Sequence, residues 1–464
     1  MTAEPRNFYL RDPITLLPSR QQFVSDYSAV PGAQLVLITL TDAAHYNQLL
    51  RAIGHEHADN FVRAGASRLA SLMPVGLPIY HVSYLSLAYL CPGGADQIQL
   101  RAIRNAFAKP IMLAGIPLGT EVAIGVADCL AADANDVLRA ALTAAQDSRH
   151  AGTEWSHYDG QSDKANQRGF AILSCIAEAL EAPDQLCLHY QPKYDMLSGR
   201  ITGAEALLRW QHPRLGAVSP MEFIPLAEAT AHIHALTDWV LNHALAQAAR
   251  WRRDGFDIVV AINVSPRNLA KPGFAARLRK LLAQYGVNPR RIELEFTEGS
   301  LMTNGQVTLA ELTALRAYGV RVALDDFGTG FANFSYITHL PADIIKIDKS
   351  FIFKICTDER SALVVRALIK IAHRLGYCVV AEGIENEMAC QMLAAWQCDE
   401  GQGFYMSRPL PAERFTAVLH QDPRLHERIT AEAADTGLSP LNRLQSEPAN
   451  IQAVAGGAQM VKAT

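Results

Sequence analysis

The 464-residue chain contains the run Arg321-Val322-Ala323-Leu324-Asp325-Asp326-Phe327-Gly328-Thr329-Gly330, an apolar strand that stops in two adjacent carboxylates and a glycine-rich turn. Neighbouring aspartates repel one another unless a cation neutralises them, which points to hard divalent ions held by oxygen ligands. Gly328 and Gly330 would let the backbone turn sharply beside a ligand. The pattern recurs, because Asn263, Glu295, Lys346, Glu382 and Gln402 each follow or close an apolar run. Glu205, Asn263, Glu295, Asp325, Asp326 and Glu382 together supply carboxylate oxygens and one amide, the donor set of Mg²⁺ or Mn²⁺ rather than of zinc. Two such ions sharing Asp325 would activate a water between them, polarise a phosphoryl oxygen and stabilise an in-line displacement. That chemistry is phosphodiester hydrolysis. Lys346 could orient the attacking hydroxide or neutralise developing charge; its blander reading is a salt bridge with Asp343 or Asp348. Arg209, two residues past Leu207, could grip a phosphate bidentately.

Such residues must be brought together by a scaffold. Strand-like runs at 186–190, 201–208, 258–264, 292–296, 320–324, 344–347, 378–381 and 401–404 alternate with segments of helical length such as 236–251, 274–285, 308–318 and 360–375. The count predicts a (β/α)8 TIM-like barrel with room for an irregular strand, and in such barrels the working residues sit at the C-terminal ends of strands. Ahead of it, residues 1–147 alternate strands (35–40, 121–126) with a helix (58–72), as a smaller α/β domain. Residues 148–166 are polar and rich in small side chains and read as a linker, so the barrel is expected over 167–420. The stretch 421–464 has no aromatic residue and is expected to be a disordered tail.

Composition narrows the classes. Hydrophobic residues make up 49% of the chain, enough for an ample core, yet no apolar run reaches the ~18 residues of a membrane span. The N-terminus lacks the apolar core of a signal peptide and the eight cysteines are scattered, which fits reduced thiols in the cytoplasm. A net charge of -4 argues against a nucleic acid polymer as partner. His232, His234 and His243 lack a paired carboxylate pattern and read as ordinary helix and surface histidines.

Two resemblances sharpen these readings. Asp12-Pro13-Ile14-Thr15-Leu16-Leu17-Pro18-Ser19-Arg20 and Gly54-His55 resemble the start and the Gly-His pair of the GGDEF domain, the fold that makes cyclic di-GMP. Where that family carries its Gly-Gly-Asp/Glu-Glu-Phe signature, the chain has Ser83-Tyr84-Leu85-Ser86-Leu87, and the nucleotide-binding Asn-Asp is replaced by Leu50-Arg51. Asp42 resembles that family's first metal aspartate, but one carboxylate cannot hold two ions and a triphosphate, so the resemblance implies a degenerate, non-cyclising domain in a regulatory or structural role.

From about Phe170 to His420 the chain resembles the EAL domain, the cyclic di-GMP phosphodiesterase family. The match rests on Glu205-Ala206-Leu207-Leu208-Arg209, Tyr190-Gln191-Pro192, Asn263-Val264-Ser265, Glu295-Phe296-Thr297-Glu298, the Asp325-Asp326 run, Lys346-Ile347-Asp348, Glu382-Gly383-Ile384-Glu385 and Gln402-Gly403-Phe404. The resemblance implies metal ligands at Glu205, Asn263, Glu295, Asp325, Asp326 and Glu382, with Lys346 and Glu382 close to the nucleophilic water and Glu205 also counted as catalytic. It implies dinucleotide contacts from Gln191, Leu207, Arg209 and Gln402, and places Glu298 as support for the loop after Asp326. The loop departs mildly, reading Phe331-Ala332-Asn333-Phe334-Ser335 where the family more often has Tyr-Ser-Ser-Leu-Ser. The implied activity is a cyclic-guanylate-specific phosphodiesterase giving linear pGpG, with two Mg²⁺ or Mn²⁺ ions and a homodimer through the barrel. The competing reading is a silent receptor or scaffold that binds cyclic di-GMP without turnover.

Overall fold

The structure is a computed structural model that describes residues 10–27, 32–113, 115–129, 133–297, 305–328 and 340–421. Glu298, the loop from Thr329 onward and the tail from 422 lie outside the described residues. The chain divides into two compact units, residues 1–170 and 171–464. Among the described residues no helix is long and apolar enough to cross a membrane.

The first unit is built on a five-stranded sheet of order β2-β3-β1-β6-β7: β1 Gln34–Thr39, β2 Tyr80–Ser83, β3 Ser86–Cys91, β6 Ala123–Asp128 and β7 Ser156–His157. A separate two-stranded ribbon contains β4 Ile111–Leu113 and β5 Ile116–Leu118. Central β1 pairs antiparallel with both β3 and β6 and is almost entirely buried. Its side chains alternate between two cores: Val36 and Ile38 meet Phe61, Leu69, Ile103 and Phe107, while Leu35 and Leu37 meet Phe23, Val137 and Ala141. An unbroken apolar run is what a strand covered by helices on both faces requires. On β6, a Cβ at Gly125 would lie 2.1 Å from the Ala141 carbonyl oxygen and 2.3 Å from the Ala145 nitrogen. Gly125→Ala should therefore push the helix Ala134–Ala151 off the sheet and destabilise this unit by roughly 1–3 kcal/mol or more. Denaturant unfolding would show it; an unchanged midpoint would mean that the close helix packing is not needed.

The segment 148–166, expected as a linker, is instead part of regular structure. Its first residues complete the helix Ala134–Ala151, Gly152 caps that helix at φ 66, β7 pairs parallel with β6, and a helix, Gly160–Glu181, begins before residue 167. Gly152 is there for capping: it takes a left-handed conformation that a side chain would resist.

The second unit is the barrel. Its strands are β8 Leu186–Asp195, β9 Ile201–His212, β11 Val259–Asn263, β12 Ile292–Thr297, β13 Arg321–Phe327, β14 Ile344–Ile347, β15 Cys378–Ala381 and β16 Glu400–Gly401, with β10 Gly216–Val218 and β17 Leu410–Pro411 added at the margins. From β9 to β16 neighbours run parallel, and β8 closes the ring antiparallel to both β9 and β16. The reversal follows from the connection. Asp195 accepts a hydrogen bond from the Ser198 amide and Gly199 sits at φ 66, so the chain turns back at once. A tight turn joins only antiparallel neighbours, whereas the parallel strands need helical crossovers. The last strand is shorter than expected: after Gly401 the chain leaves the sheet into a turn.

Candidate active site

Strand geometry alone would set Asp325 and Asp326 on opposite faces of β13. The chain avoids this with a register shift between Leu324 and Phe327 relative to β14, and with Asp326 at φ 54, a left-handed conformation that costs a non-glycine residue about 1–3 kcal/mol. Both carboxylates thereby meet Glu382, which directly follows β15: one ligand oxygen from each lies within 4.8 Å of the others. The backbone amide of Asp326 donates to Asp325 Oδ1 at 2.9 Å, fixing the pair. Gly328, at φ 96, passes where a Cβ would lie 2.8 Å from the Phe351 ring.

The remaining groups arrive by register. Across β11 and β12, Asn263 stands opposite Glu295, and Ala261 pairs with Glu205 of β9, which leaves Asn263 above Glu205. Asn263 Nδ2 donates to Glu205 Oε1 at 2.7 Å, and Gln402 Nε2 donates to Glu205 Oε2 at 2.7 Å and to Gln191 Oε1 at 2.9 Å. Gln191 Nε2 donates to the Ser407 carbonyl at 3.0 Å. At the centre stands Lys346, with Nζ 2.6 Å from Glu382 Oε1, 2.8 Å from Glu295 Oε2, 3.2 Å from Asp325 Oδ1 and 3.9 Å from Glu205 Oε2. Its partners are these site carboxylates; Asp343 binds Arg316 and Asp348 caps the short helix Lys349–Ile352.

The charges do not balance. Burial alone would depress the Lys346 ammonium, but Asp325, Glu205, Glu295 and Glu382 outweigh it and hold the lysine charged. Burial, then repulsion from Glu205, drives the Glu295 carboxyl far above the ordinary range. Burial likewise pushes Glu382 up to about 7, with Lys346 opposing and Asp325 and Glu205 reinforcing the rise, and raises Asp326 beside Asp325. Glu205 goes the other way: Lys346, Gln402 and Asn263 together overcome its burial and keep it ionised. Both Glu295 oxygens are buried and, although Lys346 approaches one, neither makes a hydrogen bond of good geometry. An excess of buried carboxylates around one ammonium, with orphaned oxygens among them, fits divalent cations with oxygen ligands.

A model of the EAL domain matches residues 175–409, half of the chain and all of this site. The chain belongs to the EAL domain family. It is 37% identical over 399 residues to a Pseudomonas aeruginosa protein named as a cyclic di-GMP phosphodiesterase, covering 84% of this chain and 68% of the relative. It is 32% identical over 432 residues to the signalling protein YkoW of Bacillus subtilis, covering 89% of this chain and 53% of that one. The chain thus spans about two thirds and about half of these relatives. Among solved structures, the PaMucR phosphodiesterase in complex with c-di-GMP is 38% identical with a TM-score of 0.51, covering 53% of this chain and 99% of that one.

Within this EAL domain the expected residues do not all play one part. Gln191 and Gln402 join the Glu205 network directly, whereas Arg209 donates to the Leu208 carbonyl at 2.9 Å and Leu207 stands partly exposed further along β9. One pair escaped sequence reasoning. Lys193 Nζ lies 2.7 Å from Glu293 Oε1 and 3.9 Å from Glu400 Oε2, fully buried inside the barrel. Its signal was the spacing: Lys193 is two residues from Gln191 and Glu293 two from Glu295, hence on the same inward faces. The histidines are the ordinary ones expected, with His243 stacked on Trp239 and His234 bonded to Asn268.

Proposed function

We propose that the chain is a metal-dependent phosphodiesterase that hydrolyses cyclic di-GMP to linear pGpG. The observation that carries this is the convergence of buried carboxylates from separate strands on Lys346, too many for one ammonium to neutralise. Glu205, Asn263, Glu295, Asp325, Asp326 and Glu382 would hold two Mg²⁺ or Mn²⁺ ions, which when bound polarise a phosphoryl oxygen and lower the pKa of water. Lys346 neutralises charge that develops on the phosphoryl group and orients the attacking water. Glu382, 2.6 Å from Lys346 Nζ and beside Asp325 and Asp326, would hold an ion and help position that water. Gln402 and Gln191 hold Glu205 and face the dinucleotide with Leu207, and Arg209 contacts a phosphate when its fork swings from the Leu208 carbonyl. The test is incubation with cyclic di-GMP and Mg²⁺ or Mn²⁺, followed by chromatography for pGpG; nucleotide binding without product would overturn the proposal and leave a receptor.

The first unit is read as a degenerate GGDEF-like domain, with Leu85 where an acid would be needed, in a regulatory or structural role. A homodimer through the barrel is supported by the helix Glu359–Arg374, on which Leu363, Val364 and Ile371 are exposed, with Leu375 following at its end. Light scattering should give twice the monomer mass, and Leu363→Glu with Ile371→Glu should return it to the monomer value. An unchanged dimer would place the interface elsewhere.

A further inference from the structure

We propose that Arg408, held over the Phe404 ring at the rim of the barrel, selects guanine in the bound dinucleotide; this rests on the cyclic di-GMP reading above. The turn that carries these residues is fixed to the site on both sides. The Ile384 amide donates to the Gln402 carbonyl at 3.1 Å and the Tyr405 amide to the Ile384 carbonyl at 3.0 Å. A Cβ on Gly403 would lie 2.0 Å from the Ile384 carbonyl oxygen, so only glycine allows this approach. The amides of Met406 and Ser407 close back onto the Gly403 carbonyl, and the Ser407 carbonyl accepts from Gln191. Arg408 is therefore next in sequence to a residue joined through Gln191 and Gln402 to Glu205.

What this turn presents is an aromatic surface and a planar cation. Phe404 and Tyr405 remain 49% and 46% exposed beside buried Gln402, and the Arg408 guanidinium stands 4.4 Å from the Phe404 centroid. Among the described residues no carboxylate pairs with it, so its in-plane N–H donors face no anionic partner. A guanidinium fork matches the O6 and N7 acceptors of guanine bidentately, while adenine places an amino donor at the first of these positions. The aromatic surface that Phe404 and Tyr405 leave exposed is one on which any base can stack. Phe404 thus contributes to affinity and Arg408 to the choice of base.

The test compares cyclic di-GMP with cyclic di-AMP on the full chain, by Kd in chelator and by kcat and KM in Mg²⁺. Arg408→Ala should weaken cyclic di-GMP binding about tenfold to hundredfold and leave cyclic di-AMP little changed, with kcat within a few-fold of the parent. Arg408→Lys should not restore the preference, because the ammonium lacks the fork. Phe404→Ala should weaken both nucleotides alike. An equal loss for the two nucleotides in Arg408→Ala, restoration by lysine, or an unaltered ratio would each overturn the assignment. If the parent binds cyclic di-GMP without cleaving it, the phosphodiesterase reading fails while the ratio of dissociation constants still decides the role of Arg408.

Discussion

Glu295→Gln should cost at least about 10²- to 10³-fold in kcat for cyclic di-GMP hydrolysis while leaving the fold as stable as the parent, or more so, when no divalent cation is present. Both halves follow from one fact. Glu295 is fully buried, and burial together with repulsion from Glu205 raises its carboxyl far above the ordinary range. A carboxylate in that position is unfavourable to the folded chain at neutral pH, and an amide of the same shape carries no charge to desolvate. Its oxygens earn their place only through the ions they would hold, so the variant should also need far more Mg²⁺ or Mn²⁺ for residual turnover. Thermal melts in chelator, paired with metal-dependent kinetics, separate the two effects. A variant that melts early in chelator would show Glu295 to be chiefly Lys346's structural partner, and undiminished turnover would remove it from the ligand set.

Why this residue was visible in the sequence, and others were not, has a physical explanation. Glu295, Asn263, Glu382 and Gln402 stand at the ends of apolar strands, where a barrel gathers its loops, so their convergence could be read from strand count and position alone. The reversed first strand was less visible, because a strand buried between neighbours looks apolar whichever way it runs; only the turn at Asp195 and Gly199 marks the reversal. The bulge that turns Asp326 toward Asp325 depends on the pairing with β14, a relation between segments with no local signature beyond the acids themselves. Lys193 and Glu293 are harder to pair for a different reason: each stands among other charged residues, Asp195 near the one and Arg291 and Glu295 near the other, and only the closed barrel brings them together. Residues 148–166 misled because the small, polar side chains that end and start helices are also those of a flexible connection.

The second large effect is a reversal of pH dependence by divalent cation. In chelator, stability should fall as pH rises from about 5 to 8; in saturating Mg²⁺ that fall should be largely abolished, and Mg²⁺ affinity should climb across the same window. Glu382 has a folded pKa of about 7 against an ordinary value of 4.5, so between these limits the folded chain holds a proton that the unfolded chain has released. Its contribution is thus complete below the unfolded value and lost as pH rises through the folded one. Glu295 and Asp326 are shifted in the same direction, by burial first and by neighbouring carboxylates second. The opposing groups act outside the window. Glu205 is depressed, so its contribution is lost only as pH falls below the ordinary carboxylate range, and Lys346 is raised, so its contribution is lost only above the ordinary lysine range. Cations compete with protons for the same oxygens, and their binding must therefore release protons near neutrality. Melting curves at pH 5.5 and 8, each with chelator and with Mg²⁺, decide the matter: a Mg²⁺-induced rise in Tm that is larger at pH 8 is the expected result. An equal rise at both pH values would mean that these carboxyls are ionised throughout and that the crowding around Lys346 is already compensated by the protein itself.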